Sequence, residues 1–218
     1  MPSPRFQKRL SRYVMRFFNL RIEGLEHLQT LPDPTRVILA GNHQGFLYGF
    51  IITAAYPHPV RFMSKAEVMS WPVVGFLLKT LANPIIVSSR QPANSLRNAA
   101  RHLKQHGALC IFPEGRLSHN GALGHFYPGA AIIQRLTHEP IVPFTLSGSH
   151  RAWHWGQWLP QLSTNITIRF SPALPPTEET PQAVTNRLKA LIQENLNPPE
   201  SAAVIVPPHS QNPEYLLS

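Results

Sequence analysis

The feature that most constrains the fold is a series of short apolar runs separated by segments of helical length and polarity. The runs are rich in β-branched residues and cover residues 36–40, 60–63, 84–88, 108–112, 141–146 and 164–170. Helices are predicted over residues 45–56, 71–81, 94–106 and 129–136, and a last helix begins at Pro181. Strands that alternate with helices are typical of an α/β fold. We therefore predict a central, mostly parallel mixed sheet flanked by helices.

The chain has 218 residues, which is the size of one ordinary domain or of one domain with a tail. The predicted organisation is a basic amphipathic helix over residues 1–22, an α/β domain over residues 23–197 and a Pro-rich tail over residues 198–218. The single cysteine, Cys110, excludes a disulfide scaffold and a CxxC metal site.

The charge and the apolar stretches together favour a partner at a membrane surface. The formal net charge is +9, which is typical of proteins that bind anionic partners. The longest uncharged apolar stretch covers only residues 46–56, whereas a membrane-spanning helix needs about 20 residues. We therefore expect the protein to lie at the cytoplasmic side of a membrane as a peripheral protein, without crossing it.

The first 20 residues suggest how such binding would occur. On a helical wheel of residues 5–20, six apolar side chains gather on one side and five basic side chains gather on the other, with no acidic residue among them. The apolar residues are Phe6, Leu10, Tyr13, Val14, Phe17 and Phe18, and the basic residues are Arg5, Lys8, Arg9, Arg12 and Arg16. This pattern predicts a helix that lies in a membrane interface. The alternative is a terminal helix docked on its own domain.

Polar residues follow three of the predicted strands. His43 stands in the loop 41–45, Glu114 and Arg116 in the loop 112–118, and Arg90 in the loop 88–90. If the strands are parallel, the three loops open on the same edge of the sheet, where α/β proteins bind their ligands. The sequence therefore predicts one cleft lined by these side chains. A helix-capping histidine and a solvated ion pair in a surface turn are the structural alternatives.

The segments GNHQG, FMSKAEV, VSSRQ, IFPEGRLS and PIVPFTLSG come in the order and spacing of a known family. Over residues 36–150 the chain resembles the glycerolipid acyltransferases, which act on 1-acylglycerol-3-phosphate and other lysophospholipids. The resemblance implies transfer of an acyl group from acyl-CoA or acyl carrier protein to a hydroxyl of a lysophospholipid-like acceptor. It implies no metal and no other cofactor.

The same resemblance assigns roles to individual residues. His43 would be the general base that takes the proton of the acceptor hydroxyl. The residues implied to bind substrate are Asn42, Lys65, Arg90, Gly115 and Arg116. Basic side chains among them would pair with a phosphate, and backbone amides near Gly115 would stabilise the oxyanion. Glu114 would shape the acceptor site beside Arg116.

One position departs from the family pattern of a histidine, four residues and an aspartate. Tyr48 stands where the aspartate is expected, and the only aspartate, Asp33, precedes the strand at its opposite end. Such an aspartate fixes the tautomer of the imidazole and stabilises its protonated form. We predict Glu114 as the substitute, and the Tyr48 hydroxyl is a second candidate to accept a hydrogen bond from His43.

Three functional hypotheses follow from these observations. The first is an O-acyltransferase weakened by the loss of the aspartate. The second is a relative of the family that binds acyl chains or lysolipid without turnover. The third, a nucleic-acid-binding module, rests on charge alone, and no helix-turn-helix, RNA-recognition or zinc pattern supports it.

Overall fold

The fold is given by a computed structural model that describes residues 3–70, 75–76, 84–88, 90–118, 121–153, 157 and 159–196. Among these residues, seven strands form one sheet in the order β1-β7-β6-β2-β5-β3-β4. The strands are β1 Asn19–Glu23, β2 Ile38–Gly41, β3 Val60–Lys65, β4 Ile85–Val87, β5 Ala108–Ile111, β6 Ile141–Ser147 and β7 Asn165–Phe170. The α-helices are α1 Pro4–Met15, α2 Glu26–Gln29, α3 Tyr48–Ala55, α4 Pro92–His106, α5 Gly129–Thr137, α6 Ser149–Ala152 and α7 Pro181–Leu196. A 3₁₀ helix covers Ala66–Ser70.

The sheet is mostly parallel, as the sequence predicts. Strand β2 pairs in parallel with β5 and with β6, and β3 pairs in parallel with β5 and with β4. Strand β7 runs antiparallel to β6, and β1 runs parallel to β7. The carboxyl ends of β2, β3, β4, β5 and β6 therefore meet at one edge of the sheet, and the amino ends of β1 and β7 lie at that same edge.

The helices bury both faces of the sheet. One core packs the side chains of α3 and the buried part of α1 against residues such as Leu39 and Phe144. The other core packs α4, α5 and α7 against Ile38, Ala40 and Leu109. Alternate residues of β2 thus enter opposite cores, which is why this strand is apolar throughout.

The N-terminal region differs from its prediction. The helix predicted over residues 5–20 ends at Met15, and residues 19–23 form β1, a strand that the sequence analysis did not predict. This strand is held by pairing with β7 and by Glu23, whose carboxylate binds Arg21 at 3.0 Å and Arg169 at 2.7 Å. The pairing with β7 and the ion pair with Arg169 join residues that are far apart in the sequence, so a local pattern does not show them.

Other differences lie at element ends. The helix predicted from Gly45 begins at Tyr48, because residues 42–46 are bound into loop contacts. The helix predicted over residues 71–81 falls almost entirely outside the described residues, and the predicted tail 198–218 falls wholly outside them. In the described part of the chain, the structure contains no helix that is both long enough and apolar enough to cross a membrane.

Candidate active site

A cavity of about 360 Å³ opens at the carboxyl edge of β2, β3 and β5. Its walls are mostly apolar and include Met63, Val68, Leu96 and Ile111. The functional side chains that line it are His43, Tyr48, Lys65, Phe112, Arg116 and Tyr127. The parallel order of the strands therefore brings the loops after β2 and β5 together, as predicted. The third wall is the end of β3 rather than the predicted loop 88–90, whose described residues are absent from the lining.

The backbone of His43 is held on both sides by the loop that follows β5. Its N–H donates to Oε1 of Glu114 at 2.9 Å, and its carbonyl oxygen accepts a hydrogen bond from the N–H of Ser118 at 2.8 Å. Because β2 and β5 are neighbours, the two loops leave the sheet side by side and can exchange these bonds. The position of His43 is thus set by backbone contacts rather than by its side chain.

Glu114 acts as a brace between three segments. Its other oxygen, Oε2, accepts a hydrogen bond from the N–H of Gly124 at 2.9 Å, and the residue is only 4% exposed. Burial raises the pKa of Glu114, while the N–H groups of His43 and Gly124 and the charge of Arg116 oppose that rise. The prediction that this carboxylate replaces the missing aspartate against the imidazole is wrong, because its oxygens bind the backbone N–H groups of His43 and Gly124 and the imidazole Nδ1 has no partner among the described residues.

The imidazole of His43 is surrounded by aromatic rings. It stacks on Phe112 with centroids 4.2 Å apart and an interplanar angle of 24°. It meets Tyr48 edge to face at 4.6 Å and 84°, and Tyr48 meets Phe112 at 4.8 Å. We call Tyr48 and Phe112 the aromatic cage of His43.

One nitrogen of the imidazole has no hydrogen-bond partner inside this cage. Nδ1 is buried and has no hydrogen-bond partner among the described residues, so the Tyr48 hydroxyl does not accept a bond from it as one hypothesis held. Burial lowers the pKa of His43 from 6.5 to about 3. The ring is therefore neutral at neutral pH, and no carboxylate in the described part of the chain favours its protonated form.

Asn42 is buried and bound to the backbone of β6. Its side-chain Nδ2 donates to the carbonyl of Leu146 at 2.9 Å, and its Oδ1 accepts from the N–H of Leu146 at 2.7 Å. The residue has no exposed surface, and it is not among the residues that line the cavity. The predicted contact of Asn42 with substrate is therefore wrong, and the side chain fixes the end of β2 against β6.

The other predicted residues divide into two groups. Lys65 and Arg116 are exposed and line the cavity. Arg90 is exposed in the turn after β4 and is not among the residues that line the cavity. Gly115 lines the cavity with a φ of +63°, and its N–H donates to the carbonyl of Phe112 at 3.0 Å. That N–H is used within the turn, so the expectation that it stabilises an oxyanion does not hold for Gly115 itself.

Several residues of the site were not predicted. Phe112 stands in the quoted motif, but its stacking on His43 could not be read from the motif. Ser118 and Gly124 contribute backbone N–H groups, which leave no trace in side-chain chemistry. Among the described residues, no three His, Cys, Asp or Glu side chains are grouped so that they could hold a metal ion.

Comparisons with known proteins support one family. The acyltransferase family model matches residues 19–147. A 1-acyl-sn-glycerol-3-phosphate acyltransferase of Limnanthes douglasii is 29% identical over 176 residues, which cover 79% of this chain and 60% of that protein. A protein of the same name from Pseudomonas aeruginosa is 27% identical over 182 residues, covering 80% of this chain and 68% of the relative. The chain thus spans about 60% of the length of the Limnanthes relative.

A solved structure shows the same fold. The crystal structure of the 1-acyl-sn-glycerophosphate (LPA) acyltransferase, PlsC, from Thermotoga maritima superimposes with a TM-score of 0.73 and 19% sequence identity. The match covers 88% of this chain and 78% of that one. The family model covers more than half of the chain and includes the loops that carry His43, Glu114 and Arg116. The chain therefore belongs to the acyltransferase family.

Proposed function

We propose that the protein is an O-acyltransferase that moves a fatty acyl group from a thioester to a hydroxyl of a lysophospholipid-like acceptor, in phospholipid synthesis or remodelling. The observation that carries the proposal is the position of His43. Its backbone is fixed by Glu114 and Ser118, and its ring lines an apolar cavity at the carboxyl edge of a parallel sheet. That edge is where folds of this kind bind and convert their ligands.

The chemistry needs one base and one acid, and His43 can serve as both. Since Nδ1 is buried, Nε2 is the nitrogen that takes the proton from the acceptor hydroxyl. The acceptor oxygen then forms a bond with the thioester carbonyl carbon. When the carbon–sulfur bond breaks, the thiolate recovers the proton from the imidazolium. The products are an ester and a free thiol, and no other cofactor takes part.

The cavity walls suit the two halves of the acceptor. The apolar part, with Met63, Leu96 and Ile111, is suited to hydrocarbon chains. Lys65 and Arg116 are exposed cations at its lining, and guanidinium groups bind phosphate oxygens in bidentate fashion. We propose acyl-CoA or acyl carrier protein as the donor.

We also propose that the protein acts at the cytoplasmic surface of a membrane. Helix α1 is partly docked: Met15 is buried, Leu10 and Val14 pack on the core, and Lys8 donates to the carbonyl of Pro57 at 3.0 Å. Six large side chains of α1 and of the two residues after it are exposed: Arg5, Phe6, Arg9, Tyr13, Arg16 and Phe17. An exposed mixture of arginines and aromatic residues favours a lipid interface.

A second candidate is a non-catalytic protein that binds acyl chains or lysolipid. The unpartnered Nδ1 of His43 favours it, because the tautomer that leaves Nε2 free must place a proton on Nδ1 without an acceptor. An unsatisfied buried donor costs about 1–3 kcal/mol. The base is therefore weakened, and the two candidates differ in turnover rather than in binding.

The test is an acyl-transfer assay with acyl-CoA and acyl carrier protein against a panel of lysophospholipids. We expect slow turnover by the wild type and a fall of about 10²–10⁴-fold in His43→Ala. His138→Asn is the matched control, since His138 is an exposed histidine in the left-handed conformation at the end of α5. Binding of lysolipid without turnover by any donor would favour the non-catalytic protein. Full activity of His43→Ala would refute the mechanism.

A further inference from the structure

Exposed apolar side chains also occur in a second segment of the chain, which leads into β7 and is bonded to the residues that follow α1. Leu159 is 80% exposed and Leu162 is 55% exposed, in the stretch that leads into β7. Phe17, which follows α1, is 47% exposed. We call these three residues the Phe17–Leu162 surface.

The two segments are tied together by backbone hydrogen bonds. The N–H of Ser163 donates to the carbonyl of Phe17 at 2.8 Å, and the N–H of Asn19 donates to the carbonyl of Thr164 at 3.1 Å. The side chain of Asn19 adds a bond from Nδ2 to the carbonyl of Ser163 at 3.3 Å. Phe17 and Leu162 are therefore held on a fixed part of the fold, at the start of β1 and β7.

This surface lies on the same sheet edge as the cavity. Gly148, at the end of β6, packs against the carbonyl of Asn165, the first residue of β7. The end of β6 is also where Leu146 binds Asn42, the neighbour of His43. Three strand spacings separate β1 from β2, which corresponds to roughly 14 Å along the edge. The surface thus flanks the cavity at a short distance.

The charges around this surface decide which occupant fits it. The sequence has no acidic residue before Glu23 and none over residues 140–177. Arg16, the chain neighbour of Phe17, is exposed, and Arg5 and Arg9 are exposed on α1, which precedes it. Leucine and aromatic residues bordered by arginines match the interface of an anionic bilayer.

We propose that the Phe17–Leu162 surface enters the headgroup region of an anionic bilayer, where Leu159 and Leu162 extend the contact made by α1 and Phe17, and turns the cavity toward the lipid. This inference rests on the proposed function, since it supplies a path for an acceptor that lives in the membrane. It adds Leu159 and Leu162, which lie more than 140 residues after α1 in the sequence, to the proposed membrane contact.

The experiment places a fluorescent probe on each side of the molecule. Leu162→Cys and Leu136→Cys are each labelled with an environment-sensitive nitrobenzoxadiazole group in the full chain. Leu136 is the matched control, because it is an exposed leucine near the end of α5, toward the opposite edge of the sheet. The native Cys110 is fully buried and does not compete for the label.

Vesicles of phosphatidylglycerol and phosphatidylcholine are then added, and vesicles of phosphatidylcholine alone serve for comparison. We expect a blue shift of the probe at position 162 with the anionic vesicles and none at position 136. Combining Leu159→Ser with Leu162→Ser should weaken vesicle binding roughly tenfold, because two apolar side chains no longer enter the interface. Leu136→Ser should leave binding unchanged.

The outcomes distinguish a bilayer from a second copy of the chain, and membrane binding from acyl transfer. Unchanged vesicle binding in the Leu159→Ser, Leu162→Ser variant would overturn the proposal. A blue shift at position 162 that grows with protein concentration in the absence of vesicles would overturn it in favour of a second copy of the chain. The vesicle measurement needs no turnover, so an inactive wild type would refute the proposed activity and leave this inference standing. Activity on a dispersed, short-chain acceptor should be unchanged in the same variant.

Discussion

The backbone and the ring of His43 are held by two regions of opposite chemistry. A polar brace, formed by Asn42, Glu114 and Ser118, holds the backbone through hydrogen bonds of 2.7–2.9 Å to groups buried at the edge of the sheet. The aromatic cage, Tyr48 and Phe112, contacts the ring through one edge-to-face and one stacked contact. The described residues therefore hold the backbone of the proposed base in place but put no carboxylate against its imidazole.

Substitutions in the polar brace and in the aromatic cage should therefore have different effects. A buried polar group that loses its partner costs more than a lost aromatic contact, because the remaining group stays desolvated. Changes in the brace should thus act first on stability and through it on activity. Changes in the cage should act on the proton transfer and its pH dependence.

Loss of the Glu114 carboxylate should have the largest effect. Glu114→Ala leaves the N–H groups of His43 and Gly124 without acceptors, and we expect a loss of about 3–5 kcal/mol in the free energy of unfolding. Urea denaturation followed by circular dichroism measures it. Glu114→Gln is the matched control, since its single amide oxygen can accept only one of the two bonds and should cost less. Equal stability of Glu114→Ala and the wild type would contradict the brace.

Restoring a carboxylate in the cage should raise activity. Tyr48→Asp places the charge at the first residue of α3, where the helix dipole favours it, and beside the ring of His43. We expect turnover to rise at least about tenfold, within the roughly 10⁴-fold that such an aspartate supplies in serine hydrolases. Steady-state kinetics measure this, and Tyr48→Asn, which has similar size and no charge, is the control. An equal gain in both variants would show that volume rather than charge limits the wild type.

The same variant should change the pH profile. A base works when it is unprotonated, so activity falls as the pH drops below its pKa. Since burial lowers the pKa of His43 to about 3, kcat/KM of the wild type should be flat from about pH 5 to pH 8. A carboxylate at position 48 stabilises the imidazolium and raises that pKa, so the profile of Tyr48→Asp should fall on the acid side of neutrality. A fall near pH 6.5 in the wild type would contradict the buried, neutral ring.

The fold was largely predictable because its main signal is local. Short runs of apolar residues predict buried strands such as β2 and β5, and the alternation of strands with helices predicts a mostly parallel sheet. Strand β1 was missed because it depends on pairing with β7 and on the ion pair of Glu23 with Arg169, which is 146 residues away in the sequence. Long-range partners of this kind leave no periodic pattern.

The site was predictable at the level of position but not of contact. Of the residues expected at one cleft from the ends of their strands, His43 and Arg116 line the cavity, whereas Glu114 and Arg90 are not among its lining residues. Lys65, which only the family resemblance indicated, also lines it. The side chains of Asn42 and Glu114 were expected to meet substrate, yet both bind backbone groups of remote segments. Nearly every residue carries the same backbone N–H and carbonyl groups, so the sequence does not show which of them a polar side chain will bind.

Asn42 tests the brace at its other end. Asn42→Ala leaves the N–H and the carbonyl of Leu146 unpaired inside the protein, and we expect a loss of about 2–3 kcal/mol in the free energy of unfolding. The KM for the acceptor should stay unchanged in the folded fraction, because the side chain does not line the cavity as described. A raised KM at unchanged stability would restore the predicted contact with substrate.

Arg116 should show the smallest effect on stability, because it belongs to neither the brace nor the cage. Its side chain is exposed at the lining of the cavity. Arg116→Ala should therefore change the free energy of unfolding by less than about 1 kcal/mol. If the guanidinium binds the acceptor phosphate, the KM for the acceptor should rise while kcat changes little, and Arg116→Lys should recover part of the loss because it keeps the charge without the bidentate geometry. Acceptors that lack a phosphate should show no difference between the three proteins, which separates phosphate binding from a general disturbance of the loop. A large loss of stability in Arg116→Ala would instead assign the residue to the brace, through its charge beside Glu114.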